Sequence, residues 1–277
     1  MELILHADYT TIPEYLYDNV CHNSRYCSVI HILTNQVSQV KKVLTSLDIS
    51  CNIKLYDLKN YKHDKLSSES SISPLLNFRE GFWIKTINRY FEINNFIQKQ
   101  NGPYFHIEND VLIYTDLSLI YEDIIEHKDK LYFCRDNIKR ALGSMMFIPD
   151  KQSISDLCNH MTKEISICFS RSNSRGVFAG VFPNDMQLLG SYKDALSFPT
   201  KPSDKGIIDA CCFGQCLGGI DPRNTSQSTV GFVNETSDFK PELSKFEFRD
   251  NCWYYDNYKL HTLHIHSKNL KKFITNK

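Results

Sequence analysis

The chain has 277 residues, 42% of them hydrophobic and 23% charged, so it can bury a sizeable core and global disorder is excluded. Lys plus Arg and Asp plus Glu both number 32, which leaves no basic excess to hold a nucleic-acid backbone or an anionic membrane by charge. This length suits one α/β domain of about 250 residues, and we predict a single domain over residues 1–277.

The first third of the chain alternates short apolar runs with helical periodicity. Strands are predicted at 3–5, 28–33 and 52–55. Helices are predicted between them, at 12–20 and over 37–47, where Val and Leu recur at helical spacing. The alternation indicates an α/β fold from the start of the chain.

The middle of the chain continues this alternation. Apolar positions nearly keep the 3.6-residue period over Phe82–Ile97, and Asn101-Gly102-Pro103 then ends the predicted helix. The next predicted elements are strands or extended chain at 104–107, 111–114 and 131–134, with a helix around 124–126. We predict a mostly parallel central sheet flanked by helices on both faces. In the last third the spacing loosens, and only short aromatic strands or an ordered loop are predicted.

An acid-x-acid triplet, Glu108-Asn109-Asp110, lies between two apolar segments. On extended backbone, residues two apart face the same side, so Glu108 and Asp110 point at one site while Asn109 faces away. Carboxylate oxygens suit Mg²⁺ or Mn²⁺. Such an ion would bridge the phosphates of a nucleotide sugar and stabilise the leaving nucleoside diphosphate. The alternative is a turn between strands that carries solvated acids.

A second pattern, His264-Ile265-His266-Ser267-Lys268, lies near the C-terminus. Alternation again places His264 and His266 on one face. One imidazole could complete the metal site, and Lys268 could meet a phosphate oxygen as a point charge. Histidines on a strand are also common as structural residues, so the pair alone does not decide between the two roles.

Together these features resemble the GT-A glycosyltransferases, over 28–273. The resemblance rests on the alternating N-terminal half, an aromatic helix that carries Arg89, a strand that ends in a variant of the family's Asp-x-Asp motif, and a late His followed by Lys. Glu108 departs from the family, which usually has Asp there. A motif of a poorly characterised branch of nucleotide-diphospho-sugar transferases is also similar to Ile208-Asp209-Ala210, Gly214-Gln215 and Leu217-Gly218-Gly219-Ile220-Asp221-Pro222-Arg223-Asn224.

The resemblance implies a GT-A fold whose N-terminal half binds a nucleotide-diphosphate sugar and whose C-terminal half binds the acceptor. It implies that Asp110 and Glu108 sit at a Mn²⁺ or Mg²⁺ ion, that His266 or His264 is the third ligand, and that Lys268 touches the diphosphate. The implied activity is metal-dependent transfer of a sugar to a glycan or other acceptor hydroxyl.

Further contacts to the donor are implied at the ends of the first strands, where Thr34, Asn35 and Asp57 are candidates for the base or ribose. Arg89 could pair with a phosphate or satisfy an internal carboxylate. Asn109, inside the triplet, is a further candidate for contact with the donor.

An inverting transferase needs a carboxylate as general base on the acceptor hydroxyl. Asp209 is the preferred candidate, because it ends an apolar pair and precedes a glycine-rich segment that lets the backbone approach a ligand. Asp185 is the second candidate. Asp185 could instead cap the helix that runs toward Tyr192.

Two other functions compete with the transferase. A sugar nucleotidyltransferase would use the same metal site on a nucleoside triphosphate, but such enzymes usually have a Gly-rich basic loop near the N-terminus, and 3–11 contains neither Gly nor Lys. A non-catalytic carbohydrate-binding protein could share the scaffold. The joint presence of Glu108, Asp110, His266 and Lys268 favours the enzyme.

Neither a signal peptide nor a spanning helix is predicted, because the chain has no basic start and no run of about 18 apolar residues. The ten cysteines include no Cys-x-x-Cys pair, so we expect free thiols in a reducing cytoplasm, or in the host cytoplasm if the chain is viral. A zinc site at Cys211, Cys212 and Cys216 is the alternative. The expected partners are a nucleotide-sugar donor and a glycan or small-molecule acceptor, without nucleic acid.

Overall fold

The computed structural model describes residues 1–63, 81–175, 184–218 and 237–274. The strands are β1 (Glu2–Ala7), β2 (Val29–Thr34), β3 (Asn52–Asp57), β4 (Tyr104–Ile107), β5 (Val111–Ile113), β6 (Tyr132–Asn137), β7 (Arg140–Ile148), β8 (Leu196–Ser197), β9 (Ile207–Ile208), β10 (Phe246–Arg249), β11 (Cys252–Tyr255) and β12 (Tyr258–His264). The helices are α1 (Glu14–Asn23), α2 (Val37–Leu44), α3 (Phe82–Ile97), α4 (Leu117–Leu119), α5 (Lys151–Arg175), α6 (Asp185–Ser191), α7 (Cys212–Cys216) and α8 (Lys271–Ile274).

Within the described ranges, seven strands form the central sheet, in the order β3-β2-β1-β4-β7-β6-β8. β1 is parallel to β2 and β4, β2 to β3, and β6 to β8, whereas β7 is antiparallel to β4 and β6. Parallel neighbours need a crossover, which α1 supplies between β1 and β2 and α2 supplies between β2 and β3. The predicted α/β class with a mostly parallel central sheet is confirmed.

Helices cover both faces of this sheet. In β1, Leu3 and Leu5 join a buried cluster with α1 and α2, whereas Ile4 joins the cluster beneath α3 and α5. This is the period-two side-chain pattern of a strand. All three side chains are fully buried, and each contributes about 1.5–3 kcal/mol relative to an exposed position.

The helix predicted around 124–126 lies earlier in the structure. Asp116 caps α4 by accepting from the Ser118 amide at 2.7 Å, and a π-turn over Ile120–Ile124 follows. The cap therefore starts the helical turns seven residues before the prediction begins. In the part of the chain that the structure describes, no helix is both long and apolar enough to cross a lipid bilayer.

A second sheet joins the C-terminal segment to the middle of the chain. Its order is β10-β11-β12-β5, with β9 beside β12. β12 runs antiparallel to β5 and places His264 opposite Val111. β5 follows β4 after only the triplet 108–110. The acid triplet thus connects the two sheets, and His264 lies next to it.

Candidate metal centre

The acid triplet makes a tight connection between β4 and β5. The Val111 amide donates to the Glu108 carbonyl at 3.1 Å, and the Ile265 amide donates to the Asp110 carbonyl at 2.8 Å. The Asp110 side chain is buried, whereas that of Glu108 is 20% exposed. One oxygen of each acid and one nitrogen of His264 lie within 4.8 Å of one another. Two carboxylates and an imidazole therefore converge on one point.

His264 is oriented by a backbone carbonyl. Its Nδ1 donates to the Ala210 carbonyl at 2.7 Å, and its Nε2 lies 3.1 Å from Glu108 Oε2 and 3.4 Å from Asp110 Oδ1. Burial alone lowers the pKa of His264, but the two carboxylates outweigh burial and raise it to about 10. The charged ring donates to the acids. Once Nε2 loses its proton, this nitrogen can bind a metal ion, because the Ala210 carbonyl keeps the remaining ring proton on Nδ1.

Arg89, from α3, is the buried cation behind Glu108. Its Nη1 lies 2.7 Å from Glu108 Oε1, and its Nη2 lies 2.8 Å from the Tyr90 hydroxyl and 3.3 Å from Asp185 Oδ2. Burial raises the pKa of Glu108, but Arg89 and His264 outweigh burial and hold that pKa well below its usual value. Arg89 therefore satisfies internal carboxylates, one of the two roles left open by the sequence, and its contact with a phosphate stays a prediction.

Lys268 approaches Asp110 through Oδ2, while His264 faces Oδ1. Burial raises the pKa of Asp110, but Lys268 and His264 hold it well below its usual value. The His266 ring lies beside the His264 ring, with the centroids 4.1 Å apart and the planes tilted by 59°, and its Nδ1 lies 3.1 Å from the Gln215 amide nitrogen. Of the two predicted histidines, His264 is the one that shares a point with both acids.

Asp209 is fully buried and held by backbone amides. Its Oδ1 accepts from the Phe213 amide at 3.1 Å, and its Oδ2 accepts from the amides of Gly214 at 2.8 Å and His264 at 3.1 Å. These bonds tie α7 to β12. A carboxylate without exposed surface cannot reach an acceptor hydroxyl, so this geometry does not support Asp209 as the general base. The segment 219–224 of the predicted motif lies outside the described residues.

Asp185 is linked to the acid triplet through Arg89, which also pairs with Glu108. Burial raises the pKa of Asp185 to about 6, although Arg89 acts in the opposite direction. The N-cap of α6 is Asn184, whose side chain accepts from the Gln187 amide at 2.9 Å. The capping role considered for Asp185 therefore belongs to its neighbour.

The predicted nucleoside contacts lie at the carboxyl ends of β2 and β3. Thr34 and Asp57 end these strands and pair in register. Thr34 is buried and accepts from the Gln36 amide at 3.1 Å, whereas Asn35 is exposed and accepts from the Tyr9 amide at 3.2 Å. Open α/β sheets bind ligands at this edge. The roles of Thr34, Asn35 and Asp57 toward a nucleoside stay predictions.

Two residues beside the acid triplet were missed by the sequence analysis. His6 Nε2 and Glu92 Oε2 lie 2.5 Å apart, and both side chains are nearly buried. Asn109 donates to the His6 carbonyl at 2.7 Å and to the Tyr9 hydroxyl at 2.9 Å. Both amide hydrogens of Asn109 are therefore used internally, whereas its buried Oδ1 has no hydrogen-bond partner among the described residues, and its contact with the donor stays a prediction.

The donor atoms at the centre fit a hard divalent cation. Two carboxylates and one carbonyl-oriented imidazole are ligands that Mn²⁺ and Mg²⁺ accept. Within the described residues, the cysteines form no comparable group. The zinc alternative at Cys211, Cys212 and Cys216 is therefore not supported.

No protein-family model and no curated protein matches this sequence. Solved structures similar to it include the apo form of the glycosyltransferase GlyE of Streptococcus pneumoniae TIGR4, with 15% identity over 72% of this chain and 45% of that one and a TM-score of 0.42. Mouse xyloside xylosyltransferase 1 has 9% identity over 61% and 76%, with a TM-score of 0.39. The galactosyltransferase LgtC, in complex with donor and acceptor sugar analogues, has 11% identity over 72% and 74%, with a TM-score of 0.42. This chain spans less than half of the length of GlyE.

Proposed function

We propose that this chain is a glycosyltransferase that uses Mn²⁺ or Mg²⁺ to transfer a sugar from a nucleotide-diphosphate donor to an acceptor hydroxyl. The observation that carries the proposal is the convergence of Glu108, Asp110 and His264 within 4.8 Å. The convergence follows β4, which is parallel to β1, so it lies at the ligand-binding edge of the sheet.

The residues around the acids have distinct roles in this proposal. Glu108, Asp110 and His264 would hold the cation, which when bound would supply Lewis-acid stabilisation of the departing diphosphate. Arg89 keeps Glu108 ionised and fixes one of its oxygens. Lys268, which pairs with Asp110, would add a second positive charge for the phosphate oxygens.

Asp185 is the carboxylate that we assign to the sugar side of the centre. It is linked to Glu108 through Arg89, and its pKa of about 6 leaves it mainly ionised at neutral pH. An ionised carboxylate can accept from a sugar hydroxyl or take its proton. Asp209 keeps a structural role, because its oxygens accept from three backbone amides.

The test is donor hydrolysis across UDP-, GDP- and dTDP-sugars, with and without Mn²⁺. Wild type is compared with Asp110→Asn and with Asp129→Asn, an exposed aspartate outside the centre. We expect one donor to be hydrolysed only with Mn²⁺, at an unchanged rate in Asp129→Asn and at background in Asp110→Asn.

Two results would contradict the proposal in different ways. Hydrolysis that is indifferent to Mn²⁺ and to the Asp110 substitution would remove the metal from the mechanism. If no donor is hydrolysed and none raises the melting temperature with Mn²⁺, the transferase assignment itself fails.

A further inference from the structure

A cavity of about 410 Å³ lies away from the metal centre. It is an open cleft bordered by the helical turns after β5, the loop before β9 and the hairpin of β11 and β12. The metal centre lies at the His264 end of β12, whereas the cavity lies at its His261 end, about 10 Å further along the strand at the rise of extended chain. Pockets of this volume are typical of small-molecule sites. The predicted site residues take no part in its lining.

The floor of the cavity is rigid and uncharged. His261 Nε2 donates to the Lys205 carbonyl at 2.9 Å, so Nδ1 accepts from the Thr115 hydroxyl at 2.8 Å. Burial lowers the pKa of His261 to about 4, which keeps the ring neutral. Gly206 adopts φ 76°, and a Cβ there would stand 2.2 Å from His261 Nε2. The glycine at position 206 therefore allows its loop to pack directly against the His261 ring.

The rim of the cavity exposes apolar surface. Leu119 is 54% exposed and Tyr258 is 37% exposed, and both line the cavity. Tyr258 is held by the two-residue turn Asp256–Asn257, whose φ values of 49° and 69° match the tight hairpin turns favoured between twisted strands. An aromatic side chain with a fixed backbone offers an apolar face at low entropic cost.

The polar groups around the rim are mixed in kind. Asp123 and Asp204 supply acceptors, Asn257 supplies both donors and an acceptor, and Lys259 supplies donors. Among the described residues, neither aspartate makes an ion pair, and the remaining ammonium in the lining, Lys205, is already bound to Glu126. Because Glu126 neutralises Lys205, the two aspartates and the Lys259 ammonium leave the lining with about one net negative charge, so it does not favour a strongly charged ligand. Donors and acceptors beside an apolar face match a molecule with many hydroxyls and apolar C–H faces.

We propose that this cavity binds a neutral saccharide, as a second site separate from the metal centre. Tyr258 and Leu119 cover one face of the sugar ring, and Asp123, Asp204 and Asn257 exchange hydrogen bonds with its hydroxyls. The proposal does not require the chain to be a transferase. In a transferase, the site would hold a part of the glycan that does not react.

The experiment is a titration of the full chain by NMR with glucose, mannose, N-acetylglucosamine, maltose and lactose. We expect at least one of them to bind, with shifts confined to the cavity. Tyr258→Ala and Asp123→Asn should each weaken that binding by about tenfold, as expected for the loss of a principal contact. Asp129→Asn, another exposed aspartate outside the cavity, should leave it unchanged. Melting temperatures confirm that each variant folds.

The metal-centre variant separates this proposal from the proposed function. Asp110→Asn should abolish donor hydrolysis and leave saccharide binding at the cavity intact. The inference is overturned if none of the five sugars binds, if Tyr258→Ala and Asp123→Asn leave binding unchanged, or if Asp110→Asn removes it. Each of these outcomes leaves the hydrolysis assay free to support or contradict the transferase.

Discussion

The Lys268 ammonium donates a hydrogen bond to Asp110 Oδ2, and the Lys268 backbone has a φ of 63°. This left-handed conformation costs a residue with a side chain about 1–3 kcal/mol, and it persists only where the surrounding structure fixes it. The adjacent Ile265 amide donates to the Asp110 carbonyl at 2.8 Å and so anchors the same loop. Lys268 therefore occupies one oxygen of a carboxylate that a metal ion would also need.

Replacement of Lys268 should separate metal binding from nucleotide binding. In Lys268→Ala, Mn²⁺ alone should bind about tenfold more tightly, because a neighbouring positive charge is removed and Asp110 Oδ2 is freed. A nucleoside diphosphate with Mn²⁺ should bind more weakly, because a phosphate contact is lost. Manganese EPR and calorimetry measure the two affinities, with the exposed Lys272→Ala as control. Unchanged Mn²⁺ affinity would show that Lys268 does not compete for Asp110.

Gly214 allows α7 to approach the strand that carries His264. A Cβ there would stand 2.1 Å from the His264 carbonyl oxygen, and a Cβ at Gly190 would stand 2.1 Å from the Lys139 carbonyl oxygen. Each Gly→Ala change should therefore destabilise the fold by about 1–3 kcal/mol. Only Gly214→Ala should also weaken Mn²⁺ binding, because it displaces His264. Denaturation and EPR test this pair, and equal Mn²⁺ affinities in the two variants would contradict the expected positioning role.

The two predicted carboxylates should behave differently when made neutral. Asp209→Asn replaces one acceptor oxygen with an NH₂ group where backbone amides donate, and should cost about 1–3 kcal/mol of stability with little effect on kcat of the folded chain. Asp185→Asn should retain the fold and lower kcat. Steady-state kinetics with the identified donor, beside melting curves, measure both effects. A large loss of kcat in a stable Asp209→Asn variant would return Asp209 to the catalytic role.

The stability of the chain should fall in mild acid. Burial lowers the pKa values of His22 to about 4, His106 to about 3 and His261 to about 4, below the unfolded value near 6.5. Between pH 6.5 and about 4 the unfolded chain binds these protons and the folded chain does not, so each histidine removes up to about 1.4 kcal/mol per pH unit as the pH falls. Asp185, with its pKa raised to about 6, acts in the opposite direction below pH 6. It offsets the loss of stability caused by about one histidine.

Urea denaturation at pH 7 and pH 5 measures this dependence. His22→Gln should reduce the fall, because one buried ring no longer has to stay neutral. A free energy of unfolding that is equal at the two pH values in wild type would show that these histidines titrate normally in the folded chain.

The main acids and bases of the centre could be predicted because their patterns are local. Alternation along extended chain paired Glu108 with Asp110 and His264 with His266, although the structure has a turn at the acid triplet. The pairing of β12 with β5 then brings the two patterns together. Local alternation could not distinguish His264 from His266, because that distinction depends on the Ala210 carbonyl, which lies 54 residues away along the chain.

The role of Asp209 could not be predicted for a similar reason. Whether a carboxylate meets a substrate or backbone amides depends on which segments pass beside it, here α7 and the end of β12. By contrast, α5 was detectable and was missed. Its buried apolar residues keep a helical spacing at Ile154, Leu157, Cys158, Met161 and Ile165.

The connection between the two sheets also determines when the metal centre can form during folding. Lys268 follows its partner Asp110 by 158 residues, and His264 follows it almost as far. On a ribosome, β4 and the triplet emerge long before β12 has been synthesised. During that time Arg89 can pair with Glu108, whereas His264 and Lys268 have not yet been synthesised. Closure of the centre is therefore a late, long-range event in folding. Because ion binding needs all three ligands, it would occur only after β12 has paired with β5. The ion would therefore stabilise only chains that have reached that stage of folding.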